Sequence, residues 1–406
     1  MSSNKTPFTL KEHNKKSILY CIMKHSPISR AEISARIHIS KPTVSQLVDE
    51  LIRDKWIYES GIGESAWQGG GKPIQLHFNE KAAYIIGADI GGTKVKTVIS
   101  DLSGTIAASS SFKTEAYLES GLIKQIAAEI EQMTEKSGIE REKILGMGAG
   151  VPGITDAENG IVIEAPSLNW IRYPFVAEAE RYFSFPVYVE NDVNAAVLGE
   201  QWLGNAQDRE NVMFLAVGTG IGCGIIIHNK LYRGSANAAG ELGYMVTDKN
   251  DMENEFKPTF HRYGYLESMA GGEAIGRKFS SLVMKNPAYP LRHDAGSAGL
   301  TSDQAFTYAE KGDREALAVV QEAIQHLAYG IINAACLLNP EVIILGGGVL
   351  KSADFILPRL REIVDPYLPV SVELRPSQLG DNMGVLGAVS LFLGKHDGLI
   401  NDPKGN

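Results

Sequence analysis

Cysteine is nearly missing from this 406-residue chain: three in all, Cys21, Cys223 and Cys336, far apart and each in or beside an apolar stretch. That excludes a disulfide framework and a CxxC metal clip, and it suits buried free thiols in a reducing compartment. Long hydrophobic runs are missing too. No stretch reaches the length needed to cross a bilayer, and Met1 to Lys16 lacks the apolar core of a secretory leader. The expectation is a cytoplasmic protein with no membrane partner. Positive charge is also in deficit, with 39 Lys and Arg against 48 Asp and Glu and a formal net charge of -9. Taken over the whole chain, that argues against nucleic acid. The deficit is uneven, however. Residues 1–78 hold 11 Lys and Arg against 7 Asp and Glu, a net of +4, which leaves -13 for the rest. A mildly basic head on an acidic body suits a local phosphate-contacting module, although ordinary surface charge gives the same totals. What is plentiful is glycine, 42 residues, which tilts the composition toward a turn-rich α/β architecture. A chain of this length exceeds one ordinary core and suggests two or three domains.

The head reads as short helices followed by a hairpin. Leu10 to His25 carries an apolar stripe of Ile18, Leu19, Ile22 and Met23, and Ser26-Pro27 breaks it. Ser29 with Glu32 three positions on is a capping box that starts a second helix, which ends near Ile37. Ser40 caps a third helix, where Pro42 is tolerated in the first turn because the early amides lack intrahelical partners. Val44, Leu47, Val48 and Leu51 recur at helical spacing and face a core, placing Pro42, Ser45, Gln46 and Asp49 on the other side, with Lys41 and Thr43 at its margins. This geometry fits a major groove, where Gln46 can pair with an adenine edge while Ser45, Thr43 and Lys41 reach bases or phosphates. Ser29, Arg30 and Ser40 join the candidate DNA contacts. A small helical bundle that contacts proteins has the same pattern. The next stretch favours DNA: Trp56-Ile57-Tyr58 and Ile74-Gln75-Leu76-His77-Phe78 read as two strands around a glycine-rich wing, whose tip of Gly70, Gly71 and Lys72 is narrow enough for a minor groove.

The body repeats one layout. Tyr84 to Ala88 is a buried-strand run entering Asp89-Ile90-Gly91-Gly92-Thr93-Lys94, and an apolar strand returns from Val95. Val212 to Ala216 does the same into Gly218-Thr219-Gly220, and Val342 to Leu345 runs into a third glycine turn at Gly346, Gly347 and Gly348. Glycines there let backbone amides approach an anion, and Asp89 can orient a metal-bound phosphate. Two strand–turn–strand units suggest duplicated lobes facing one nucleotide cleft. Between them Val187 to Glu190 ends in Asn191-Asp192 ahead of a helix, and such a pair can hold vicinal hydroxyls, with Asp192 able to accept a proton. Glu241 and Glu267 add carboxylates without a basic cluster, a set suited to a neutral carbohydrate rather than a phosphorylated one. Any one of these carboxylates taken alone is more often a helix cap or a solvated side chain.

Together these motifs resemble the ROK family (repressors, open reading frames and kinases), in its xylose-repressor-like transcriptional branch. The resemblance spans nearly the whole chain. It implies a winged helix-turn-helix over residues 1–78 and a two-lobed α/β sugar-kinase fold of the actin-like or ribonuclease-H-like class, with lobes over 79–195 and 196–406. It also implies sugar contacts from Asn191, Asp192, Glu241 and Glu267, completed by Gly153, Asn169 and Tyr244, and Asp192 as the base in kinase members. The possible nucleotide residues are Asp89, Gly91, Gly92, Thr93, Lys94, Gly218, Thr219, Gly220 and Gly347. Zinc-holding relatives carry a histidine where this chain has Tyr244, and cysteines where it has Pro258, Phe260 and Tyr265, so no zinc is expected. Tyr244 and Tyr265 are expected to pack at the pocket, and His261 to be structural. The resulting expectation is a homodimer or dimer of dimers that reads operator DNA and is released by a neutral monosaccharide or short glucoside. No cofactor is required. ATP and magnesium enter under the alternative of an active sugar kinase, which the intact first and third turns leave open.

Overall fold

The computed structural model describes residues 7–62, 74–118, 121–249, 264–292 and 299–396. The head is α1 (Pro7–His25), β1 (Ile28–Ser29), α2 (Arg30–Ile37), α3 (Lys41–Arg53), β2 (Ile57–Ile62) and β3 (Ile74–Phe78). Helix α2 begins at Ser29, whose capping box with Glu32 is complete, and α3 begins at Ser40 with Pro42 in its first turn. The two-residue strand β1, absent from the sequence reading, pairs with β3 through Ile28 and Leu76, giving an antiparallel order β1-β3-β2. Ile18, Ile22, Ile33, Val44, Leu47, Val48, Leu51 and Leu76 fill the core beneath.

The first body sheet takes β4 (Tyr84–Ile90), β5 (Lys94–Asp101), β6 (Ile106–Lys113) and β7 (Ile144–Val151). A small three-stranded sheet follows from β8 (Ile154–Asp156), β9 (Ile161–Ala165) and β10 (Trp170–Tyr173), and β11 (Val187–Asn191) then returns to the main sheet. Helices α4 (Leu122–Ser137) and α5 (Phe175–Ala179) cover one face. Helix α6 (Asp192–Leu203) leads to the second sheet: β12 (Val212–Val217), β13 (Ile221–Ile227), β14 (Lys230–Leu231), β15 (Val342–Gly346) and β16 (Glu373–Pro376). Its outer face is packed by α7 (Tyr265–Ala270), α8 (Gly272–Lys285), α9 (Ser302–Glu310), α10 (Arg314–Leu338) and α11 (Ala353–Val364).

The two sheets run β6-β5-β4-β7-β11 and β14-β13-β12-β15-β16, which is the same order within each unit. In both, the first two strands are antiparallel around a glycine turn and the later strands lie parallel to the first. The duplication inferred from the glycine motifs is therefore a duplication of topology.

Between the sheets lie two helices. Helix α6 packs its Ala196 and Val197 on the second sheet, against Val212, Phe214 and Ile226. Helix α12 (Met383–Lys395) falls within the stretch expected to form the second lobe, yet Val385, Val389 and Phe392 pack under the first sheet, against Ile85 and Val98. The two helices cross where Gly387 meets Ala195. A Cβ on Gly387 would overlap the Ala195 carbonyl, so glycine alone permits this approach. Trp56 and Phe78 pack against both the head core and the core around α12, so the head rests on the body rather than hanging from it.

Cys21 and Cys223 are buried free thiols as expected, but Cys336 is exposed, because the last turns of α10 present a solvent face there that also carries Leu337. Among the described residues no helix is long and apolar enough to cross a membrane.

Candidate functional site

Helix α3 exposes three of the four residues that the periodicity assigned outward, Pro42, Gln46 and Asp49. Ser40, Lys41, Pro42, Gln46 and Asp49 are exposed, while Thr43 and Ser45 are half-buried. The Ser40 hydroxyl accepts from the Thr43 amide at 3.4 Å and shares a hydrogen with the Thr43 hydroxyl at 2.8 Å, which fixes the first turn. Two expected DNA contacts have partners within the head. Ser29 is 4 % exposed, and its hydroxyl is spent on Glu32, donating to the carboxylate at 2.7 Å and accepting from the backbone amide. Those bonds hold the Glu32 carboxyl below its usual range. Arg30 donates to Asp49 at 2.8 Å and to Glu59 at 2.7 Å. It ties α2 to α3 and β2, and it neutralises an acid on the exposed face of α3. Gly70, Gly71 and Lys72 lie outside the described residues.

In the body, the end of β11 and the start of α6 form one wall of a cleft. Asn191 caps α6, its side-chain oxygen accepting from the amides of Val193 and Asn194, both at 3.0 Å. Its amide hydrogens go to the Gly153 carbonyl at 2.9 Å and to Asp192 Oδ1 at 3.1 Å. Asn191 thus joins the Gly153 turn to Asp192 and spends its own donors in doing so. Asp192 opens α6, where the helix N-terminus favours a negative charge, and the Val193 amide also donates to Oδ1 at 2.9 Å. Burial outweighs these, and with the nearby Asp89 and Glu241 carboxylates it pushes the Asp192 carboxyl up to about 7.

Asp89, at the end of β4, is likewise raised by burial, against the pull of Lys96 and Lys94. Its carboxylate lies against the first turn of α12, so close to Gly384 that any Cβ there would collide with it. Lys96 donates to Asn382 Oδ1 at 2.7 Å and to the Asp381 carbonyl at 3.0 Å, fixing the approach to that helix. Gly91 closes its turn through the Lys94 carbonyl at 2.9 Å, with Thr93 and Lys94 exposed. Gly92 rests on Ser167, two residues before Asn169, which is exposed with a left-handed backbone.

The other wall belongs to the second sheet. Glu267, on α7, accepts from the Ile221 amide at 2.9 Å, just past Gly220, and so ties the second glycine turn to that helix. Burial raises its carboxyl, with Glu241 adding to the rise. Glu241 stands at the rim and is also raised by the protein around it. Gly218 accepts from Gly272 at 2.8 Å, while Thr219 is exposed and Gly347, with φ of 95°, lies against Val217. Asp89 and Glu241 thus both act on Asp192, and Glu241 also acts on Glu267, so the four carboxylates belong to one region. Tyr265 is 2 % exposed with its ring edge-on to His326, whereas Tyr244, at the end of the short helix Leu242–Tyr244, is 54 % exposed. Tyrosines at these positions do not fit a Cys/His zinc site, and among the described residues no three His, Cys, Asp or Glu stand as a metal cluster. Pro258, Phe260 and His261 lie outside the described residues.

Residue-level reading missed Glu190 and Arg233. Glu190 is fully buried beside Asn191, with Arg233 Nη2 at 2.6 Å. The signal was present: a carboxylate ending an apolar strand needs a cation from somewhere.

A model of the ROK family matches residues 85–395, and a model described as winged helix-turn-helix DNA-binding matches residues 11–58. A protein named xylose repressor from Caldicellulosiruptor bescii is 31% identical over 393 residues, spanning 95% of this chain and 96% of its own length. A glucokinase from Thermotoga maritima is 32% identical over 321 residues, spanning 76% of this chain and 96% of its own. The solved structure of a ROK family transcriptional regulator, a homologue of the E. coli MLC protein, superposes with a TM-score of 0.80 over 97% of this chain and 98% of that one, at 22% identity. It supports the fold from head to body.

Proposed function

Because the chain belongs to the ROK family, we propose that it is a sugar-responsive transcriptional repressor of a carbohydrate-utilisation operon. The observation that carries this reading is the presence, in one chain, of a polar α3 face on a winged helix-turn-helix and a body region where Asp89, Glu241 and Glu267 lie around the buried Asp192 carboxyl. Helix α3 reads the major groove and the wing the minor groove, each subunit of a dimer taking one half of a roughly palindromic operator. This assigns the protein to the cytoplasm, with the DNA. A neutral sugar sits between the lobes at Asn191, Asp192, Glu241 and Glu267 and releases the operator, and by linkage the operator weakens sugar binding by the same factor. No cofactor is needed.

The test titrates the protein on the intergenic DNA upstream of its own gene, against a panel of neutral sugars. Binding that one sugar abolishes supports the reading, and Asp192→Ala should keep operator binding while losing that release. No binding to any such duplex overturns it. A second reading is an active sugar kinase, favoured by an Asp192 carboxyl raised to about 7, where a general base works well. ADP formed from ATP, magnesium and a sugar would establish it.

A further inference from the structure

We propose that Arg233 and Glu190 form an interlobe clasp that presets the two walls of the sugar cleft, making Arg233 a positioning residue for sugar recognition. The assignment rests on the sugar-cleft reading above. One carboxylate serves both walls. Glu190 Oε1 accepts from the Asn191 amide at 3.0 Å and from the Asn194 side-chain amide at 3.2 Å, and so sets the bend from β11 into α6 that presents Asp192. Its other oxygen, Oε2, accepts from Arg233 Nε at 2.8 Å and Nη2 at 2.6 Å. Arg233 comes from the other sheet, just past β14. Its carbonyl accepts from the Ala239 amide at 3.0 Å, and the Gly240 carbonyl accepts from the Cys223 amide at 2.9 Å, so the loop that ends in Glu241 is closed on itself and pinned to β13. The guanidinium therefore links the residue beside Asp192 to the loop beside Glu241.

An ion pair is a poor device for mere cohesion. Taking a carboxylate out of water costs more than a matched apolar contact, and Glu190 is fully buried while the Arg233 side chain keeps 29% of its exposure. What the pair supplies is direction, through two hydrogens delivered to one oxygen from a fixed side. Lys395, the other cation near Glu190, donates to the Ala157 carbonyl at 2.8 Å, which leaves the carboxylate to Arg233. With the walls set in advance, sugar does not have to order them on binding.

The experiment measures binding of a neutral sugar panel that includes D-xylose and D-glucose, and operator binding without sugar, in full-length wild type, Arg233→Gln, Arg233→Lys, Glu190→Gln and the double variant Glu190→Gln/Arg233→Gln. Arg233→Gln should weaken sugar binding about tenfold or more and leave sugar-free operator affinity within about threefold. Arg233→Lys, with a point charge in place of a fork, should fall between. The double variant should lose no more than the worse single variant, as expected of two residues acting through one contact. Where Arg233→Gln does not melt cooperatively, Glu190→Gln supplies the comparison: its one amide oxygen still accepts from the Asn191 amide, while the NH2 group that replaces Oε2 can no longer accept from Arg233. Unchanged sugar affinity in folded variants overturns the clasp, as do losses that multiply, or operator affinity that falls in parallel with sugar affinity. A wild type that binds no sugar of the panel overturns the sugar-cleft reading itself, and the clasp's role with it.

Discussion

At Asp192, burial and two neighbouring carboxylates act on one group and hold it at about 7, whereas an aspartate in an unfolded chain titrates near ~3.9. Between those values the folded protein keeps a proton that the unfolded chain has released. The residue's contribution to stability is therefore complete below about pH 4 and is lost as the pH rises through about 7. Asp192→Asn, neutral throughout, should raise the melting temperature at pH 8 and leave it nearly unchanged at pH 4. Each pKa unit corresponds to about 1.4 kcal/mol, and water in the open cleft screens part of that, so the expected gain at pH 8 is about 2 kcal/mol. Melting curves at the two pH values decide it, and equal shifts at both would refute this account. Asp192 was legible because an Asn-Asp pair at a strand end is a local pattern. Arg233 was not, because it is 43 residues from the carboxylate it serves and nothing adjacent to it marks a partner.

The reading helix and its neighbours show the same division. Its caps and buried stripe are consequences of spacing, and Ser40, Val44, Leu47, Val48 and Leu51 stand where spacing places them. The partners of Arg30 lie 19 and 29 residues away on other elements, so nothing near it in sequence marks the two ion pairs it makes within the head. The difference can be measured. Lys41→Ala should lower the slope of log affinity against log salt by about one unit, as loss of a phosphate contact does, and Arg30→Ala should leave that slope unchanged. Arg30→Ala should instead destabilise the head by about 1 kcal/mol, since both of its ion pairs are partly exposed. A reduced salt slope in Arg30→Ala would return the residue to the DNA interface. Cys336 teaches a related point: an apolar 25-residue helix still has a wet side, and sequence alone did not place the cysteine on it.

Over the whole molecule, the duplicated sheets were legible because each glycine turn sits between two recognisable strands. The return of α12 to the first sheet was not, since an apolar C-terminal helix fits either lobe equally well. That return joins distant places: its first turn lies under Asp89, its middle crosses α6, and Phe392 packs in the core that Trp56 and Phe78 share with the head. Trp56→Ala should loosen this seat. Sugar affinity and operator affinity, each measured alone, should persist, while the factor by which sugar weakens operator binding falls from the usual range of about 5–150-fold to roughly twofold. Operator titrations with and without saturating sugar give that factor, and an undiminished one would show that the seat carries no signal. The shared seat also governs what recombination can make of this architecture. Trp56 and Phe78 are finished surfaces only when the body core of Ile85, Val98, Val389 and Phe392 meets them. A head transplanted onto a foreign body would carry its DNA preference along but arrive without a landing place, a tethered passenger deaf to its new partner's ligand. New pairings of operator and sugar in this lineage would thus have to arise by changing the two faces together, or by rewriting the α3 surface and the cleft while the joint between them stays as it is.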